Sequence, residues 1–229
     1  MADLAALQQT LGIWFNNPSL LEQALVHSSY VNENPGIATT SNERLEFLGD
    51  AILGFIIAEE LYQRFPQFSE GEMTKLRSSL VCRDALSRMA RAISLGSYLY
   101  LGRGEEASGG RRKPANLASA LEAIIAAIFL DRGLKAARNF ILRATSQGLN
   151  KGVDADYKSR LQELLQARQQ PKPTYKVIAT AGPAHNRTFT VQVRVGDKVL
   201  GRGSGRSKKA AETEAACSAL AKLPANFTP

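Results

Sequence analysis

The spacing of apolar residues changes once along the chain, near residue 150, and this change constrains the fold more than any other feature of the sequence. Before it, apolar residues recur at helical spacing: Leu4, Leu7 and Leu11 share one face, and the same period runs from Leu45 to Phe55. After it, apolar and polar residues alternate strictly from Thr188 to Val195, which is typical of a half-buried strand. The chain therefore combines two kinds of fold.

We predict an all-α domain over residues 1–149, a polar linker over 150–155 and a small α+β domain over 156–225. In the first domain we expect a long apolar helix from Leu117 to Leu130, and the glycines and arginines between 102 and 112 predict a mobile loop. The second domain is expected to follow the order α-β-β-β-α, with helices on one face of the sheet. Its predicted elements are a helix around Leu161 to Arg168, strands at Tyr175 to Thr180, Thr188 to Val195 and Lys198 to Gly201, and a closing helix at Ser207 to Leu223.

Composition argues against several classes of protein. Cys82 and Cys217 fall in different predicted domains, and His27 and His185 are far apart, so we expect neither a disulfide framework nor a Cys/His zinc site. Any metal must then be held by carboxylates, which favours magnesium or manganese. No apolar run approaches the roughly 20 residues that span a bilayer, and the N-terminus lacks the pattern of a signal peptide. We expect a cytoplasmic protein that does not bind membranes.

The excess of positive charge is confined to the C-terminal third. The whole chain has a net charge of +8. Residues 151–229 hold 14 Lys and Arg and 6 Asp and Glu, which already gives +8 and leaves 15 residues of each class in 1–150. This distribution is expected of a domain that binds a polyanion.

Two lysines open the closing helix, with Ser207 as its predicted N-cap. Lys208 and Lys209 lie at the positive end of the helix dipole, where each costs about 0.3 kcal/mol or more unless an anion binds there. A phosphate at this position would contact both ammonium groups and the free backbone N–H groups. The alternative is a solvated run of charge.

The segment from Asp156 to Leu223 resembles the double-stranded-RNA-binding domain. This resemblance implies that Gln162 and His185 contact successive minor grooves, and that Lys208 and Lys209 bind phosphates across the major groove between them. An A-form duplex is recognised in this way by its shape, over ~16 base pairs. The matching residues are Asp156 to Glu163, Gly182 to His185, Phe189 and Gly205 to Ala211.

Acidic residues share one face of a predicted helix in the first domain. Glu43, Glu46 and Asp50 stand at about 0°, 300° and 340° around the helix at ~100° per residue. Carboxylates this crowded repel one another unless a cation lies against them. A solvated acidic face is the alternative, but the apolar residues that follow Asp50 indicate a helix that enters a core.

Glu122 lies within the predicted apolar helix from Leu117 to Leu130. A helix this apolar is buried on most sides, and a carboxylate inside it is costly without a partner or a metal. No Lys or Arg lies within one turn of Glu122. An arginine from elsewhere in the chain remains one possible partner, and a hard-metal site shared with Glu46 and Asp50 is the other.

Essentially the full chain resembles ribonuclease III. The resemblance implies a dimeric, all-helical nuclease domain that hydrolyses both strands of duplex or structured RNA, such as ribosomal RNA precursors, and leaves 5′-phosphates and 3′-hydroxyls. The matching residues are Glu43 to Asp50, Ala24 to His27, Ser69 to Gly71, Gly104 to Glu106, Gly109 to Arg111 and Leu121 to Ala123.

By position, the resemblance implies that Glu46, Asp50 and Glu122 bind Mg²⁺, which Mn²⁺ could replace, and that no small-molecule cofactor is used. Asp50 and Glu122 would be most important for catalysis. Glu43 and Glu70 would lie near the RNA path or the dimer contact.

One position departs from the family pattern. Ser119 stands where the family usually has an aspartate, three residues before Glu122, so one expected metal ligand lacks its charge. The leading hypothesis is a ribonuclease III-like endonuclease. The alternative that Ser119 favours is a duplex-RNA-binding protein whose weak or inactive nuclease domain serves as a dimer scaffold.

Overall fold

A computed structural model of the chain describes residues 3–36, 40–66, 68–183 and 187–222, with the backbone alone at 147, 148 and 150–156. The chain divides into two compact units, residues 1–146 and residues 147–229, here called the N-terminal unit and the C-terminal unit. Among the described helices, none combines the length and the apolar character needed to cross a membrane.

The regular structure described in the N-terminal unit is helical, apart from an isolated parallel bridge between Val26 and Tyr100. The predicted all-α class is confirmed. The helices are α1 (Leu4–Leu11), α2 (Pro18–Ala24), α3 (Ser28–Glu33), α4 (Glu43–Arg64), α5 (Glu70–Val81), α6 (Arg83–Ala92), α7 (Arg103–Ala107) and α8 (Pro114–Gln166), with 3₁₀ turns at Leu95–Tyr98 and Gly110–Arg112.

The first half of α8 supplies much of the core of the N-terminal unit. Every residue from Ala123 to Ile128 is buried, and on α4 the side chains of Ile56 and Ile57 are fully buried. The sequence pattern placed Phe55 on the buried face of α4, but its side chain is 55% exposed. At 3.6 residues per turn, burial of Ile56 and Ile57 turns the position before them toward solvent.

Two segments differ from their predicted conformation. The glycine- and arginine-rich segment forms α7 and a 3₁₀ turn instead of an irregular loop, because Arg111 donates to the carbonyl oxygens of Gly96 (3.0 Å) and Leu99 (2.9 Å). Residues 150–155, predicted as a linker, have helical backbone within α8. The break in α8 falls earlier, at Gly133, whose φ of 77° is outside the helical region.

The C-terminal unit contains a three-stranded antiparallel sheet in the order β1-β2-β3, followed by a helix. Val191 in the central strand pairs with Val177 on one side and with Gly203 on the other. With the C-terminal end of α8 before it, this sheet confirms the predicted α-β-β-β-α order. The elements are β1 (Thr174–Ala181), β2 (Thr188–Val195), β3 (Lys198–Gly205) and α9 (Lys208–Lys222).

α9 packs directly against β3 because both contact surfaces are built from small residues. A Cβ on Gly203 would lie 2.2 Å from the backbone nitrogen of Ala215, so only glycine permits this approach. Ala211, Ala215 and Ala219 are fully buried, and Leu161 from α8 belongs to the same core. The close packing fixes where the N-terminal turn of α9 lies relative to the sheet.

Candidate functional site

The candidate metal ligands lie where α4 and α8 touch. A Cβ on Gly49 would stand 1.8 Å from the carbonyl oxygen of Glu122, so the two helix backbones are in direct contact at this point. Glu46 lies one turn before Gly49 on α4, and Ser119 lies one turn before Glu122 on α8. The contact therefore places residues from the two sequence motifs side by side.

Ser119 makes a specific contact across this helix pair. Its hydroxyl donates a hydrogen bond of 2.8 Å to Oε1 of Glu46, and the bond is partly buried. From the sequence, Ser119 is expected near the metal or among its ligands. In this structure the atom it contacts is a carboxylate oxygen of another predicted ligand.

Glu122 is half-buried and is surrounded by other acids. Burial raises the pKa of its carboxyl group, and the negative charges of Asp50 and Glu46 act in the same direction, so that the pKa reaches about 7. Repulsion of this kind requires that the three carboxylates lie near one another. The structure thus places Glu46, Asp50, Ser119 and Glu122 near one another, and their role as metal ligands stays a prediction.

Arg83 at the start of α6 was missed in the sequence analysis. Its positive charge acts on Glu122 and lowers the pKa of that carboxyl group, against the larger effects of burial and the neighbouring acids. The sequence carries no signal for this proximity, since Arg83 lies far from Glu122 along the chain. Arg83 is therefore a nearby positive charge, and the acids that would share a metal with Glu122 also lie near it.

The donor set fits a hard divalent cation by its chemistry. Carboxylate oxygens are the ligands that magnesium prefers, and burial together with the charges of Asp50 and Glu46 raises the pKa of Glu122. Within the described part of the chain, no group of three or more His, Cys, Asp or Glu side chains is arranged to hold a metal ion.

Glu43 and Glu70 lie apart from this cluster in their contacts. Glu43, the first residue of α4, accepts a hydrogen bond of 2.6 Å from Ser41. Glu70, the first residue of α5, accepts one of 2.8 Å from Thr74. Both side chains are exposed, and neither contributes to the shifted pKa of Glu122.

In the C-terminal unit, the described residues predicted to bind RNA are all exposed. Gln162 lies on the surface of α8, and Lys208 and Lys209 form the first turn of α9. Ser207 accepts a hydrogen bond of 3.1 Å from the backbone N–H of Ala210, which confirms the predicted N-cap. His185 lies outside the described residues.

An ion pair that the sequence did not reveal links the two helices of this unit. Lys158 on α8 contacts the carboxylate of Glu212 on α9, and its ammonium group lies 4.8 Å from the centre of the Tyr175 ring. Burial, together with the charge of Glu212, raises the pKa of Tyr175 to about 12. Glu212 is one turn from Lys208 and Lys209, so this pair helps to hold the lysine-bearing turn in place.

Comparison with known proteins covers both units. Residues 17–149 match the family model described as ribonuclease-III-like, and residues 157–223 match the model described as double-stranded RNA binding motif. Ribonuclease 3 of Dehalococcoides mccartyi is 54% identical over 232 residues, which cover 100% of this chain and 98% of that protein. Ribonuclease 3 of Desulforamulus reducens is 49% identical over 221 residues, which cover 95% and 90% respectively.

A solved structure also resembles the N-terminal part of the chain. It is the nuclease domain of ribonuclease III from Campylobacter jejuni, described for structural flexibility in a region involved in dimer formation. The TM-score is 0.59 at 37% sequence identity, and the match covers 64% of this chain and 98% of that one.

Proposed function

The chain belongs to the ribonuclease III family, and from this premise we propose that Glu46, Asp50 and Glu122 form its cleavage site and use magnesium. Endonucleolytic cleavage of double-stranded RNA, and duplex binding by the C-terminal unit, follow from the family and its full-length relatives. The family is metal-dependent. The identity of the metal, the residues that hold it and the chemistry of the products are our proposals.

One observation carries the assignment of the site. Glu122 is half-buried at the α4–α8 contact and faces two further acids, and this arrangement raises its pKa to about 7. An arrangement with this electrostatic cost persists when a function requires it, and a divalent cation would convert the repulsion into attraction. Manganese has the same preference for oxygen ligands and would substitute for magnesium.

The residues of the proposed site have different roles in hydrolysis. Magnesium held by Glu46, Asp50 and Glu122 would supply Lewis-acid chemistry at the scissile phosphate and at the attacking water. Asp50 and Glu122 lie closest to that chemistry in our assignment, and Glu46 completes the charge. Attack of water on phosphorus breaks the bond to the 3′-oxygen, so the products carry 5′-phosphate and 3′-hydroxyl ends.

We further propose that the protein acts as a homodimer. Three large apolar side chains on α4 are exposed: Phe47 (80%), Phe55 (55%) and Tyr62 (73%). At ~100° per residue they fall within one face of the helix, and such a patch marks an interaction surface. Phe47 adjoins Glu46, so a two-fold dimer through this face would present one site to each antiparallel strand.

The natural substrates that we propose are structured RNAs such as ribosomal RNA precursors, because recognition of an A-form duplex depends on shape. These RNAs are made inside the cell, so we propose that the protein acts in the cytoplasm. The alternative of a duplex-binding protein with an inactive nuclease domain is not favoured, because relatives that match nearly the full chain are named Ribonuclease 3.

The test is incubation of the purified protein with a uniform RNA duplex, with magnesium, with manganese and with a chelator. We expect cleavage of both strands with either metal and none with the chelator, and end-labelling should identify 5′-phosphates.

Sedimentation of Phe47→Ser, with Trp14→Ser as an exposed aromatic control, tests the dimer. Cleavage in chelator, or an unchanged dimer in Phe47→Ser, would contradict the corresponding proposal.

A further inference from the structure

Ser119 stands where the resemblance to the family implies an aspartate, and its contact points to a role other than that of a ligand. Its hydroxyl donates to Oε1 of Glu46 at 2.8 Å. We propose that Ser119 is a positioning residue, which holds the Glu46 carboxylate in place for a divalent cation by means of a neutral hydrogen bond. This inference rests on the proposed metal site.

The backbone geometry makes this contact rigid. Gly49 allows α4 to touch the carbonyl of Glu122 on α8, and Glu46 and Ser119 lie one turn before these two residues on their helices. The Ser119 side chain has one rotatable heavy-atom bond, so its donor is placed by the helix pair itself. Glu46 has a long side chain, and a hydrogen bond that fixes one rotamer removes entropy that metal binding would otherwise have to remove.

The side chain at position 119 determines whether its interaction with the Glu46 carboxylate is attractive or repulsive. A hydroxyl donating to a carboxylate forms a charge-assisted hydrogen bond, which is stronger than a bond between two neutral groups. An aspartate at the same position would place a second negative charge against Glu46, and only a bound cation would offset it. Serine therefore favours an ordered site when no metal is bound. When a metal is bound, the site has one negative charge fewer than it would have with aspartate.

The hydrogen bond also makes the two carboxylate oxygens of Glu46 inequivalent. Oε1 accepts from Ser119, and Oε2 would remain available to a cation. A carboxylate that is already bonded through one oxygen presents the other in a defined direction. Partners of this kind affect metal affinity by roughly 10–100-fold when they are removed.

The experiment measures binding of Mn²⁺ to the RNA-free protein by electron paramagnetic resonance, together with thermal unfolding in chelator. Ser119→Ala should weaken Mn²⁺ binding by about tenfold, and Ser119→Thr, which keeps the hydroxyl, should restore it. Ser119→Asp should unfold at a lower temperature than the natural protein in chelator and gain more from Mn²⁺. Ser146→Ala is the control and should change neither quantity, because the Ser146 hydroxyl donates to a backbone carbonyl.

Each result of this experiment either supports the positioning role of Ser119 or contradicts it. Equal Mn²⁺ affinity for the natural protein and Ser119→Ala overturns the positioning role, and so does a loss in Ser119→Ala that Ser119→Thr does not restore. If the positioning role fails while duplex cleavage still requires a divalent metal, the proposed function stands. If the natural protein neither binds Mn²⁺ nor cleaves duplex RNA, both proposals fail.

Discussion

The two units place their candidate functional residues in different environments. In the N-terminal unit, Glu46 and Glu122 are half-buried at a contact between two helices, and burial with neighbouring charge raises the pKa of Glu122 to about 7. In the C-terminal unit, Gln162, Lys208 and Lys209 are exposed on helix surfaces. The first arrangement depends on tertiary packing, whereas the second depends on the shape and charge of a surface.

This difference predicts how each unit responds to mutation. A change at the α4–α8 contact should affect stability and cleavage together, because the same backbone contact supports both. A change at the exposed lysines should affect RNA binding and leave the fold intact. Four experiments test this separation, from the largest expected effect to the smallest.

Replacement of Glu122 by Gln should lower the rate of duplex cleavage by on the order of 10³-fold, because several kcal/mol of metal-assisted stabilisation are lost. Duplex binding should be nearly unchanged, since the basic residues lie in the other unit. Single-turnover cleavage and filter binding on the same duplex measure the two quantities. Equal losses of binding and cleavage would count against the assignment of the site.

Replacement of Gly49 by Ala should destabilise the N-terminal unit by about 3 kcal/mol, because the added Cβ collides with backbone. Its Cβ would lie 1.8 Å from the Glu122 carbonyl oxygen. Gly54→Ala is the matched control on the same helix, since nothing lies within 4 Å of its added Cβ. The control should stabilise by about 0.5–1 kcal/mol. Equal unfolding temperatures for the two variants would show that the helices are not in contact at Gly49.

Replacement of both Lys208 and Lys209 by Ala should weaken duplex binding by about tenfold near 0.1 M salt and reduce the salt slope by about two. The loss of binding should be independent of RNA sequence, because the phosphates are the same for every base sequence. Lys222→Ala at the other end of α9 is the control. A salt slope that stays the same in the double variant would remove these lysines from the interface.

The raised pKa of Glu122 predicts a pH dependence of stability in the absence of metal. The folded protein retains a proton at Glu122 up to a pH of about 7, whereas the unfolded chain releases it near 4.5, the ordinary value. Stability contributed by this residue is therefore lost as the pH rises from about 4.5 to about 7. The effect should be about 1–2 kcal/mol after screening by solvent.

Thermal unfolding in chelator between pH 5 and pH 8 measures this dependence. Glu122→Gln should remove it, because the amide does not titrate. Magnesium should oppose it, since the cation binds the ionised carboxylate and competes with the proton. A variant that retains the full pH dependence would place the titrating group elsewhere.

Much of the fold followed from local pattern. Alternation from Thr188 to Val195 predicted β2 with its observed bounds, and the apolar run from Leu117 to Leu130 predicted the buried part of α8. Such patterns succeed because the repeat of each element fixes which side chains share a face. The prediction failed at Phe55, where helical spacing alone did not reveal which edge of the apolar stripe faces solvent.

Contacts between distant residues could not be predicted in the same way. The sequence indicated that Glu46, Asp50, Ser119 and Glu122 belong to one site, but it did not indicate which atoms meet. Gly49 gives no distinct local signal, because Gly54 lies in the same helix and has nothing within 4 Å of an added Cβ.

The sequence by itself determined the two fold classes, the confinement of positive charge to the C-terminal third and the acids available for a metal site. Each of these depends on residue type and on spacing within an element. The tertiary structure decided that Ser119 donates to Glu46, 73 positions away, and that Arg83 acts on Glu122. These interactions depend on distances between separate helices, which are set only when α4 and α8 pack against each other at Gly49.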